Sequence, residues 1–88
     1  MVYQSTKGAI DLSRLTRLYP AVLVSMQGEM AEMSLEWTEL YGEKVQILSY
    51  ILVFDFTPLK EEQKERIVLE FASQEELAHV MQEVAQFF

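Results

Sequence analysis

The stretch from Val45 to Phe56 is apolar on both of its faces, and that property constrains the fold more than any other. Rich in β-branched and aromatic residues, it reads as a strand. Ile47, Ile51 and Val53 point one way, and Leu48, Tyr50, Leu52, Phe54 and Phe56 point the other. Such a strand belongs in the middle of a sheet, with apolar cover on either side. Thr57-Pro58 ends it, because proline has no donor for the ladder.

The segments around it follow the same period. Ala21 to Met26 and Met30 to Trp37 flank Gln27-Gly28, a two-residue turn in which glycine accepts positive φ at little cost. With Met26 opposite Glu29, Val24 falls opposite Ala31 and Val22 opposite Met33. This register gathers Val22, Val24, Ala31, Met33, Leu35 and Trp37 on one side. Leu23, Ser25, Met30, Glu32, Ser34 and Glu36 fall on the other. A turn is expected at Tyr41-Gly42-Glu43. After the wholly polar Lys60 to Glu65, which suits a charged loop or one helical turn, Ile67, Leu69 and Phe71 alternate with Arg66, Val68 and Glu70 as a further strand.

Ser73 and Glu76 have the spacing of a capping box, so a helix is expected from Gln74 onward. Leu77, Val80, Met81, Val84, Phe87 and Phe88 recur at helical spacing as one apolar stripe, with Glu75, His79 and Glu83 projecting elsewhere. Upstream, Ser13 suits the cap of a short turn in which Leu12, Leu15 and Leu18 share a side, and Pro20 biases Tyr19 away from helix. The first ten residues have no decisive pattern. The fold class is therefore α+β: an antiparallel meander sheet of at least four strands, with a C-terminal amphipathic helix packed on one face, in a single domain spanning 1–88.

One helix of about 15 residues, roughly 22 Å long, covers one face of a small sheet and not two. The second face of Val45 to Phe56 needs another layer, from the Leu12 to Leu18 segment or from a second copy of the chain. Three leucines are thin cover for that face, which favours a homodimer.

The chain has no cysteine, which excludes disulfide staples, thiolate nucleophiles and Cys-ligated metals. No signal-peptide pattern opens it, and no apolar run approaches the roughly 20 residues of a membrane span, so a cytoplasmic protein without membrane contact is expected. The net charge is −7, and all acidic residues but Asp11 lie beyond Gly28. Such a field repels phosphate backbones and favours a basic protein partner over nucleic acid. Arg14 and Arg17 form a small positive patch that reads as a solvated turn.

Three glycines and no Gly-Lys-Ser/Thr sequence rule out the phosphate-cradling loops. The single histidine, His79, stands among Glu75, Glu76 and Glu83 at spacings that resemble carboxylate-histidine metal half-sites. Those sites need glutamates on facing helices, whereas strands are the expected neighbours here. A solvated helix face without metal or cofactor is the expectation, and an enzyme using His79 with Glu75 or Glu76 is the least supported alternative. What remains is a non-catalytic protein-protein interaction or accessory module. Its expected surface comprises Leu23, Met30, Trp37 and Tyr50, in a region where Met26, Met30 and Met33 supply adaptable side chains. The alternative is a small-molecule pocket between sheet and helix near Trp37, Tyr50 and Phe54.

Overall fold

A computed structural model describes residues 1–57 and 65–88. The polar Lys60 to Glu65 segment lies outside the described residues except for Glu65, which opens a strand. The chain runs β1 (Val2–Ser5), β2 (Gly8–Asp11), a 3-10 turn (Leu12–Arg14), β3 (Leu15–Met26), β4 (Glu29–Met33), α1 (Leu35–Tyr41), β5 (Gln46–Phe56), β6 (Glu65–Phe71) and α2 (Gln74–Ala85). β3 to β6 form a four-stranded antiparallel sheet, and β1 and β2 pair in a hairpin of their own.

The hairpin at Gln27-Gly28 has the expected register, with Met26 opposite Glu29, Val24 opposite Ala31 and Val22 opposite Met33. Gln27 and Gly28 both take positive φ, 52° and 85°, the combination whose twist matches that of paired strands. The second arm, however, stops at Met33. Leu35 and Trp37, expected on the strand, belong to α1. Ser34 overrides the alternation there: its hydroxyl accepts from the Trp37 amide, and its carbonyl accepts from the Thr38 amide and hydroxyl.

This helix changes the topology. The sheet order is β4-β3-β5-β6 and not the sequential order of a meander. β3 is antiparallel to both neighbours, so β4 and β5 are parallel, and parallel strands need a crossover. α1 supplies it by passing over β3. Beneath it Val22 and Val24 are fully buried, on the sheet face shared with Tyr50, Leu52 and Phe54.

β3 begins at Leu15, earlier than the Ala21 expected from sequence, and so includes Pro20. Even-numbered residues of β3 bond toward β4, which ends opposite Val22. The missing donor of Pro20 therefore faces a place with no partner strand, where proline is tolerated. β5 pairs with β3 along its length, but a register shift at Leu23/Val24 sets Ile47 rather than Leu48 opposite Val24. Ile47 thus leaves the side of Ile51 and Val53.

The main core gathers Leu52, Phe54 and Leu69 of the sheet, Leu77 and Val84 of α2, and Tyr3, Ile10 and Leu12 of the N-terminal segment. Leu15 and Leu18 join the same cluster. The leucines expected to share a side do so, but on the helix side, so they do not close the second face. Asp11, rather than Ser13, caps the 3-10 turn, by accepting from the Ser13 amide. That bond holds the Asp11 carboxyl below its ordinary range. At α2, Ser73 accepts from the Glu76 amide as the capping pattern implies. The helix is shorter than expected, ending at Ala85, and Phe87 and Phe88 beyond it are exposed.

Two substitutions test this packing. Leu77→Ala is expected to cost about 2–5 kcal/mol by opening a cavity under α2. Ser73→Ala is expected to cost about 1 kcal/mol by orphaning one helix-start amide. Urea unfolding followed by far-UV circular dichroism measures both, and equal losses would contradict the assignment of Leu77 to the core.

Candidate functional site

The second face of β5 is closed by a mechanism other than a packed layer. Ala21, Ile51 and Val53 form a small buried cluster there, flanked by Tyr19, Leu23 and Val68. Polar side chains lie across it. The Tyr19 hydroxyl donates to Glu32 at 2.8 Å. Arg66 donates from Nε to Asp55 at 2.8 Å and lies 3.8 Å from Glu32. The Arg17 guanidinium sits 4.1 Å from the centre of the Tyr19 ring. Glu32 stands on β4 and Arg66 on β6, opposite edges of the sheet, so their contact bridges above β3 and β5. Long stems with charged tips give apolar cover while their heads stay in water. Val53 is fully buried as a result.

Exposed ion pairs are worth only about 0–1 kcal/mol each, so the canopy stabilises chiefly through the apolar surface it shields. It also shifts protonation. Partial burial, and then the Glu32 carboxylate, push the Tyr19 phenol above its ordinary value. The Asp55 hydrogen bond holds Arg66 more firmly charged.

The canopy does not reach the turn end of the sheet. Leu23 and Met30 lie on the same face as the canopy, as the hairpin register requires; Leu23 is half-buried, and Met30 is 67% exposed. Met26 and Ile47 are exposed at the same end of the sheet but on the opposite face, and Leu48 is exposed at the register shift between Ile47 and Ser49. Trp37 and Tyr50 do not join Leu23 and Met30. Tyr50 packs against the main core on the opposite face, and Trp37 stacks on Tyr41 at 5.1 Å along the outside of α1, with exposed Leu40 beside it. Phe54 has no surface to offer a ligand. Trp37, Tyr50 and Phe54 are thus not brought together as one pocket wall.

A groove of about 500 Å³ lies instead between α2 and the end of β6. Thr6, Glu70, Phe71, Glu75, Glu76, His79 and Val80 line it, giving an apolar floor under an acidic rim. His79 pairs through Nε2 with Glu83 at 2.9 Å, and the other oxygen of Glu83 accepts from the Tyr3 hydroxyl at 3.0 Å. Burial, and then Glu83, raise the Tyr3 phenol above its ordinary value. Glu83 therefore ties α2 to the N-terminal hairpin, and His79 contacts Glu83 from within the same helix. Among the described residues no group of three or more His, Asp or Glu is arranged to hold a metal ion. Arg14, half of the expected positive patch, bonds Glu65 and the Thr57 carbonyl.

Sequence reasoning missed the canopy because its members are far apart in the chain. The available signal was the run of long polar residues, Arg17, Glu32, Asp55 and Arg66, on the positions facing away from the helix. No protein family, curated protein or solved structure matches this chain. Among the described residues no helix is long and apolar enough to cross a membrane.

The canopy predicts an alkaline weakness. Because folding raises the phenol value of Tyr19, its contribution is complete below the unfolded value near pH 10 and is lost as pH rises through the folded one. Tyr19→Phe is expected to cost roughly 1 kcal/mol at neutral pH and to show a smaller further loss between pH 9 and 11 than the parent. Denaturant titrations across that range measure it; identical alkaline slopes would contradict the assignment.

Proposed function

We propose that this protein is a non-catalytic interaction module, acting in the cytoplasm as a homo-oligomer through the turn end of its sheet. The observation that supports this most is the apolar surface left uncovered at the turn end of the sheet, with Met30 beside half-buried Leu23 on the canopy face and Met26 and Ile47 on the other. Isolated exposed apolar residues are ordinary, whereas a contiguous group at one end of a small domain is the usual mark of a partner site. Methionine suits such a surface, since its unbranched side chain repacks easily. The acidic balance of the chain favours a basic additional partner over nucleic acid.

A second reading is favoured by the groove at α2. Its carboxylates and apolar floor suit a small cationic ligand with an apolar portion, such as an amine on a short hydrocarbon body.

Light scattering on a size-exclusion column is expected to give twice the chain mass at micromolar loading. Met30→Glu is expected to raise the dissociation constant roughly 10- to 100-fold, the loss of one buried methionine. A parent that is monomeric at every loading would overturn the homo-oligomer. For the groove, Val80→Glu is expected to abolish any heat of binding to alkylamines seen by calorimetry, and retained binding would exclude that site.

A further inference from the structure

Resting on the homo-oligomer reading, we infer that the partner is a second copy joined edge to edge through β4, which makes one continuous eight-stranded antiparallel sheet. The two free edges of the sheet are treated differently. On β6 the Lys7 amine caps the Val68 carbonyl at 2.7 Å, and a lysine on an edge is a familiar guard against further pairing. On β4, Glu29–Met33 contains neither lysine nor proline, and none of its outward backbone groups meets a described partner.

The hairpin fixes which groups those are. A two-residue turn makes Met26 and Glu29 a hydrogen-bonded pair, and by alternation Val24 with Ala31 and Val22 with Met33. The amide and carbonyl of Met30 and of Glu32 therefore point out of the sheet. Two copies of this edge can pair in a register centred on Ala31. It sets Met30 opposite Glu32 of the second copy, and Glu32 opposite Met30, with four backbone hydrogen bonds. Alanine then stands at the two-fold axis in a non-hydrogen-bonded pair, where Cα atoms approach to about 4.5 Å and a small side chain fits. Centring on Glu32 would set like charges directly opposite, which is destabilising. In the favoured register Glu32 is already drawn inward by Tyr19 and Arg66, away from its counterpart.

The two-fold axis stands perpendicular to the sheet, so both α1 helices lie on the same face of the joined sheet. That gives a use to Trp37 and Leu40, 56% and 75% exposed on a seven-residue helix that follows β4 directly. Exposed Met30 is covered on the opposite side. Charge opposes the union, since each copy carries −7, so the dimer is expected to tighten with added salt.

The chain has no cysteine, which permits a clean test. Ala31→Cys is expected to give a disulfide-linked dimer under mild oxidation, because the predicted approach lies within disulfide range. Glu70→Cys on the guarded edge is expected to stay monomeric on the same non-reducing gel. Met30→Pro removes one outward donor while leaving the bonds to β3 intact, and is expected to weaken the dimer at least tenfold with circular dichroism unchanged. Efficient crosslinking at Ala31 with loss of dimer in Met30→Pro supports the β4 seam. A dimer by light scattering that crosslinks at neither position and ignores Met30→Pro overturns the seam and leaves the homo-oligomer standing. A parent that is strictly monomeric overturns both.

Discussion

β5 has to be dry on both sides, and the architecture follows from how differently the two sides are dried. Leu52 and Phe54 face a conventional layer assembled from α2, the N-terminal hairpin and the 3-10 turn. Ile51 and Val53 face a thin roof built from the sheet's own long polar side chains. Both helices and the N-terminal hairpin lie on the first of these faces, and the second is left to side chains of the sheet itself. The polar roof works because its charged heads remain hydrated while their stems and the Tyr19 ring lie over small residues such as Ala21.

The same division explains where apolar surface is left over. Arg66 reaches across from β6 and Glu32 from β4, and together they span the middle of the sheet. Neither reaches the Gln27-Gly28 turn, so Met30 stays open there. α1 has a comparable imbalance: it shields Val22 and Val24 but turns Trp37, Leu40 and Tyr41 outward. The open backbone edge of β4 lies between Met30 on one face and Trp37 and Leu40 on the other, so edge pairing brings a second copy against both.

Much of this was legible from sequence where a local rule dominated. The Gln27-Gly28 register follows from positive φ and period-2 alternation, and the start of α2 follows from Ser73 and Glu76. The misreadings come from places where two rules compete. Ser34 to Trp37 alternates like a strand, yet the Ser34 hydroxyl caps a helix there. That one decision separates a sequential meander from the observed β4-β3-β5-β6 order. β1 and β2 escaped notice because strands of four residues show too few alternations to stand out. For the candidate surface, Leu23 and Met30 were legible from register alone. Trp37 and Tyr50 were not, since α1 removes Trp37 from the sheet and β5 turns Tyr50 into the core.

Edge strands are tolerated when they are blocked, and among the described residues Lys7 blocks only one of the two edges of this sheet. The account therefore turns on whether the β4 edge is paired in solution. Amide hydrogen exchange at Met30 and Glu32, followed by NMR at concentrations where the mass is that of a dimer, tests this most directly. The account predicts protection at both amides that falls away on dilution, while Val24 and Ala31 inside the hairpin stay protected throughout. Exchange at Met30 and Glu32 as fast as in an unstructured peptide, in a sample that is dimeric by mass, would contradict it.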